Sequence, residues 1–402
     1  MRKTASQSIL AYNKGREPER LARKMTAMRA NAFSFLRGTC HLFHERMIEQ
    51  KLAPKGPSAW ICGDLHLENF GTYLGDNGLT YFDVNDFDEA ICAPHSWDIL
   101  RLAVSVMVAA PVIGLSGSAA KSAAKRLIET YYAELAEGKP RWIERKTADG
   151  PIGQLFESLK KRDNLKLLNK RTVAKGAKRT LIVDGIKTLA IDKSDRENLA
   201  AFLQKEGKQM GLLKALALID AGRRIAGTGS LGIARFVLLV EGDGSPNGNW
   251  LLDLKAAVPS AVAPYVAGAQ PKWASEADRV VSIQTLFQAN TPSLLSAHSY
   301  RGGSFLMKQL QPTADRLDLA AICSSSAAFD IVIESMARLT AWGHLRGSGR
   351  KGAASGDDLI AAAEEAKAAR AILERAEALA KINAADWAQY SAAYDKGDMK
   401  AH

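Results

Sequence analysis

Cysteine is scarce in this chain and widely spaced: Cys40, Cys62, Cys92 and Cys323 form no CxxC pair. That spacing argues against a zinc ribbon or a disulfide framework and fits a reducing cytoplasm. Long apolar runs are also missing. The longest, Leu102 to Leu115, has 14 residues and contains Pro111, short of the ~20 that span a bilayer, so it reads as a buried helix. The opening stretch, Met1 to Ser8, lacks the apolar segment of an export signal. These absences predict a cytoplasmic protein with no membrane partner. Aromatics are sparse where positive charge is densest. Between residues 140 and 188, basic side chains such as Arg145, Lys160, Lys161, Arg162, Arg171 and Arg179 are interleaved only by Trp142 and Phe156. No stacking platform for single strands is evident, and no specific nucleic-acid motif is present. The net charge of +11 therefore reads as a solvated connecting surface, with an acidic substrate or partner as the other reading.

What is present is a dense acidic motif. In Gly63-Asp64-Leu65-His66-Leu67-Glu68-Asn69 a carboxylate stands five positions before a carboxamide, and a loop of that length can turn both toward one phosphate-sized gap. Phe70 to Leu74 and Leu79 to Asp83 read as strands around Asn77-Gly78, a strong hairpin turn. The antiparallel return brings Asp83, Asp86 and Asp88 back beside the Asp64 loop. Asp86 is the preferred metal ligand; Asp83, Asp88 and His66 remain further candidates. The layout resembles a kinase-type phosphotransferase site. That resemblance implies that Asp64 orients an acceptor hydroxyl and takes its proton, while Asn69 and Asp86 hold Mg²⁺ against the phosphates of ATP.

Asp86-Phe87-Asp88-Glu89-Ala90, followed by Asp98-Ile99-Leu100-Arg101-Leu102-Ala103, is similar to the aminoglycoside phosphotransferase and homoserine kinase pattern. There an Asp-Phe-Asp segment precedes, by twelve residues, a structural Asp that opens a helix. Asp86 and Asp98 have that separation and Asp83 does not. Cys62 stands where those families usually carry a histidine.

Far downstream, Gly227-Thr228-Gly229-Ser230-Leu231-Gly232 leads into the apolar run Phe236 to Val240. A Rossmann turn would need a helix there, so a glycine-rich hairpin over ATP phosphates fits better. Lys255 lies in the next apolar strand, Trp250 to Ala256, and Glu276 near the start of a helix over Trp273 to Phe287. By resemblance to protein kinases, Lys255 contacts phosphates and pairs with Glu276, and Ser304 to Leu310 forms an edge strand and hinge beneath adenine.

Kinases place the glycine loop before the catalytic loop, and this chain has the reverse order. The expectation is an α+β, protein-kinase-like two-lobed fold in circularly permuted order. A large helical lobe would cover 1–221, a small antiparallel β-lobe 222–310, and helices returning to the large lobe 311–402. Within this scheme residues 17–52 and Trp97 to Leu135 read as helical, Ser194 to Ala221 as one helix, the chain after Pro312 as helices, and Ala361 to Arg370 as part of a long exposed helix. The whole chain also resembles an uncharacterised bacterial family, domain of unknown function 2252. The resemblance rests on Ser34 to Gly38, the Gly63 to Asn69 run, Asn85 to Ala90, Gly227 to Gly232 and Leu254-Lys255.

The function expected is ATP- and Mg²⁺-dependent phosphoryl transfer to a hydroxyl on a small molecule or a protein. A nucleotide-binding pseudokinase and AMP transfer are the alternatives. The Asp64-x-His66 pair is also similar to the opening motif of metallophosphoesterases, but no Gly-Asn-His follows.

Overall fold

The computed structural model describes residues 3–160, 164–268, 270–310, 316–365 and 367–399, a mixed α+β fold of helices and small antiparallel sheets. Lys161, Arg162 and Pro312 lie outside the described residues, as does the side chain of Lys160.

Residues 17–52 are helical as expected, in three helices, Pro18–Ala30, Ala32–Gly38 and Cys40–Glu49. At the first break Asn31 is extended, and its side chain accepts from Ser34 N at 2.7 Å. A free Asn side chain competes with the helical ladder in this way, which the helix-forming neighbours do not reveal. The stretch from Trp97 to Leu135 is likewise divided, into Ser96–Ile113 and Gly117–Glu137, by the left-handed Gly114 and the capping Ser116. Ser96–Ile113 is the one helix, among the described residues, long and apolar enough to cross a membrane, and 83% of it is buried. Helices Gly117–Glu137, Ser326–Gly347 and Ala368–Asp395 pack around it. Trp60, Phe87, Leu100, Tyr131, Phe287 and Met336 share the resulting core, each burial of this kind contributing roughly 1.5–3 kcal/mol.

A six-stranded antiparallel sheet adjoins this body, in the order Ser296–Tyr300, Gly303–Gln309, Trp250–Ala256, Arg235–Val240, Leu218–Arg224, Thr188–Leu189. One face packs Leu252 and Leu254 against Leu199, Phe202 and Leu203 of helix Lys193–Gln209. That helix is shorter than the expected 194–221: Gly211 takes a left-handed turn (φ 71°) and Leu218 begins a strand. Its pairing partner, Arg235–Val240, is distant in sequence, so local propensity could not reveal it. Gly303–Gln309 is an interior strand, paired with both Ser296–Tyr300 and Trp250–Ala256, and not the expected edge. Toward the C-terminus, Gly356–Ala363 and Ala368–Asp395 are separate helices. The last meets the amino-terminal helices, with Ala5 N of helix Ala5–Tyr12 donating to Gln389 Oε1 at 3.0 Å and Arg29 of Pro18–Ala30 pairing with Asp395 at 2.7 Å.

Candidate active site

The acidic loop is clamped largely through its own backbone groups. Strand Ser58–Ile61 pairs with Ile91–Pro94 and delivers Cys62 and Gly63, whose N–H groups donate to the Asp98 carboxylate at 2.7 and 2.9 Å. Gly63 has φ 80°, and a Cβ there would collide with the Glu89 carbonyl. His44 Nε2 bonds Gly63 O at 2.9 Å from the other side. Asp98 is the structural helix opener the sequence implied, and it is held in turn by His344 at 3.3 Å, which bonds Tyr131. Cys62 Sγ donates to Asp86 O at 2.8 Å, so the thiol joins the two acidic segments directly.

Asp64 projects from this loop with its side chain 20% exposed, and the fully buried Arg101 donates to it. Arg101 also donates to Leu36 O at 3.0 Å and lies 4.6 Å from the Phe43 ring centre. Burial pushes the Asp64 carboxyl above its ordinary range, Arg101 opposes that, and Asp86 adds to it. Asn69 Nδ2 donates to Asp64 O at 3.0 Å, which commits the nitrogen and leaves Oδ1 for a cation. His66 is an internal cap: buried, it accepts from Glu68 N through Nδ1 at 3.2 Å, and burial holds it well below the usual histidine range.

The hairpin pairs Phe70 with Val84, and Asn85 N donates to Asn69 O at 2.8 Å, so Asp86 comes back beside Asn69 as expected. The three carboxylates that follow separate cleanly. Asp86 is exposed to the cleft; burial would raise its pKa, but Lys255, Lys308 and Arg235 prevail and lower it. Asp88 pairs with Lys255. Asp83 turns away into the core, 1% exposed, accepting from Val84 N at 2.8 Å and facing Arg346 at 3.4 Å.

Lys255 leaves the sheet opposite this loop, and its partner corrects the expectation. Glu276 instead accepts from Arg279 Nε at 2.7 Å. Helix Glu276–Phe287, capped by Ser275, aims Arg279 into the gap, where it donates to Asp88 O at 2.9 Å, Val258 O at 3.0 Å and Ala90 O. Glu276 thus acts one residue removed, through Arg279, while Asp88 sits close enough to take Lys255.

The glycine ribbon closes the cleft from above. Gly227 and Gly232 adopt φ 76° and 89°, and a Cβ on Gly232 would strike the Arg16 side chain at 2.8 Å. Arg16 donates to Gly229 O at 2.7 Å and Leu231 O at 2.9 Å, Lys24 to Gly229 O at 3.1 Å, and Arg20 to Ile233 O at 2.9 Å. With the carbonyls gripped, no group among the described residues accepts from the N–H of Thr228, Gly229 or Ser230. Such free amides form an anion cradle.

The cleft between loop and ribbon has a volume of about 310 Å³ and is lined by Asp64, Asn69, Asp86, Asp88, Lys255 and the Gly227–Ser230 segment. Gly232, Asp83 and Glu276 do not line it. Among the described residues basic side chains outnumber acidic ones around it, nine to six, which suits a polyanion. Sequence reasoning missed Arg101 and the cleft cations Arg37, Arg235 and Lys308. Arg101 stood inside the quoted Asp98 to Ala103 run, and its position within an apolar helix was the available signal. Among the described residues no three His, Cys, Asp or Glu side chains converge as a metal cluster. The chain belongs to the family described as "Uncharacterized protein conserved in bacteria (DUF2252)", whose profile matches residues 16–393. No curated protein and no solved structure matches it.

Proposed function

We propose that this protein is an ATP- and Mg²⁺-dependent phosphotransferase with a kinase-like two-lobed fold in circularly permuted order, acting on a hydroxyl of a small-molecule acceptor. The observation that carries the reading is convergence: Asp64, Asn69 and Asp86 share one cleft with Lys255 and the glycine ribbon, which lie far downstream in the chain. Chance rarely brings a carboxylate base, two hard oxygen ligands, an amide cradle and an ammonium to one gap.

Asp64 would accept the acceptor proton as the hydroxyl oxygen bonds the γ-phosphorus and the bond to the leaving diphosphate oxygen breaks. Arg101 orients that carboxylate and favours its ionised form against the upward push of burial. Asn69 Oδ1 and Asp86 would hold Mg²⁺ with the hard oxygen donors it prefers, few enough to leave sites for phosphate oxygens. An ion held there would supply neutralisation of the charge that develops on the phosphates. The free N–H groups of Thr228, Gly229 and Ser230 would cradle the phosphates, and Lys255, steadied by Asp88, would position them.

Incubation with ATP labelled at the α or the γ position, against pooled metabolites and proteins, tests this. Label moves from the γ position, and Asp64→Asn slows it ~10²–10⁴-fold, the usual share of a positioned general base, while ATP binding persists. Transfer of α label instead would identify AMP transfer, and binding without turnover a pseudokinase. An Asp64→Asn variant that keeps full turnover would falsify the assignment.

A further inference from the structure

The sheet face above the cleft is charged where a purine would need an apolar wall. Residues alternate along each strand, so Arg235, Val237 and Leu239 share a face with Leu251, Asp253 and Lys255 of the neighbouring strand. The apolar part of that face, Val237, Leu239, Leu251 and Leu310, is already covered by Leu168 and Leu181. What stays open to the cleft is Arg224, Arg235, Asp253 and Lys308.

These charges do not balance. Asp253, buried at 3%, accepts from Arg224 at 2.8 Å and also from Arg235, so one carboxylate serves two guanidinium groups. Among the described residues Lys308 donates only to the Asn85 carbonyl, at 3.3 Å. Arg171 and Lys187 line the same cleft, and among the described residues no carboxylate pairs with either. Crowding shows in the titration as well: burial and Arg235 push Arg224 down to about 10, and burial lowers Lys308. Arg171, Arg224, Arg235 and Lys308 are partly buried and Lys187 is exposed at the rim, and partly buried cations in excess call for an anion to neutralise them.

We infer that Arg171, Lys187, Arg224, Arg235 and Lys308 form a phosphate subsite beneath the sheet, adjoining the one at Lys255 and the glycine ribbon. This rests on the nucleotide reading of the cleft and deepens it, because two phosphate positions require a longer polyanion than one. The phosphate is either the terminal group of a nucleotide laid with its tail under the sheet, or a group carried by the acceptor.

Calorimetry on the full chain separates these sources, with Lys308→Met and the double variant Arg171→Gln, Lys187→Gln, whose side chains hold no carboxylate in place. Inorganic triphosphate binds the wild type and loses roughly tenfold or more in each variant, as lost charged hydrogen bonds do. If Mg·ATP weakens in parallel while AMP does not, the nucleotide tail occupies the subsite. If Mg·ATP is unchanged but inorganic phosphate no longer binds the ATP-loaded variants, the acceptor does. Wild-type affinities for every one of these anions, in variants that melt like the wild type, would overturn the subsite. Wild type that binds triphosphate but not Mg·ATP, with triphosphate lost in the variants, would instead reject the nucleotide reading and leave the subsite standing.

Discussion

Replacing Arg101 by Met removes the only cation, among the described residues, bonded to Asp64 while retaining most of the apolar stem against Phe43. Arg101 is fully buried, and breaking a buried pair by deleting one partner typically costs ~3–5 kcal/mol. Asp64 is 20% exposed and can escape part of that penalty by taking a proton, so about 2–3 kcal/mol is expected at neutral pH. The sign with pH follows. In the wild type Arg101 opposes the upward push of burial on Asp64, so its removal raises the folded-state pKa further. The variant holds its proton to higher pH, and its deficit relative to wild type grows as pH rises between the two folded values, by ~1.4 kcal/mol for each unit separating them. Urea unfolding at pH 5 and pH 8 reads this directly, and the acid limb of turnover should move upward in parallel. A deficit that is the same at both pH values, or absent, would refute the claim that Arg101 serves the Asp64 charge.

Asp86→Asn should abolish the dependence of ATP affinity on Mg²⁺; calorimetry showing the same metal dependence in variant and wild type would reject Asp86 as a ligand. Arg279→Met should impair turnover more than Glu276→Gln, because Arg279 itself bonds the Asp88 and Val258 carbonyls; the reverse ranking would restore Glu276 as the direct partner of Lys255. Burial raises Glu89 from the ordinary 4.5 to about 7, so its contribution to stability is present below 4.5 and fades as pH climbs through 7. Glu89→Gln should therefore flatten the stability profile across that window, and parallel curves would show that Glu89 does not titrate there. Gly63→Ala combines a left-handed φ with a collision against Glu89 O and should lower the melting temperature by several degrees, an effect absent if the loop relaxes freely.

The parts of the site that were legible in the sequence are those set by short-range geometry. Asn77-Gly78 forces a two-strand return whatever surrounds it, and that return carries Asp86 to Asn69. The twelve-residue step from Asp86 to Asp98 likewise spans one strand and a helix start, so Asp98 meets the loop. The choice of partner for Lys255 was not legible. It depends on how helix Glu276–Phe287 is rotated against the Asp88 loop, and Arg279, one turn along, took the inward position. Arg101 was hidden for a similar reason, since an apolar helix does not announce which neighbour will neutralise its single cation. Leu218–Arg224 became a strand because Arg235–Val240 was there to accept it.

The hold of Arg16, Arg20 and Lys24 on ribbon oxygens has a kinetic corollary. All three side chains are rooted in one short stretch near the amino end, so prising the ribbon upward means parting their bonds almost together and rehydrating each cation at once. A latch of that kind slows arrival and departure alike. Ligands beneath it would exchange sluggishly, and long pre-incubation would reveal tight binders that a rapid single-timepoint screen passes over.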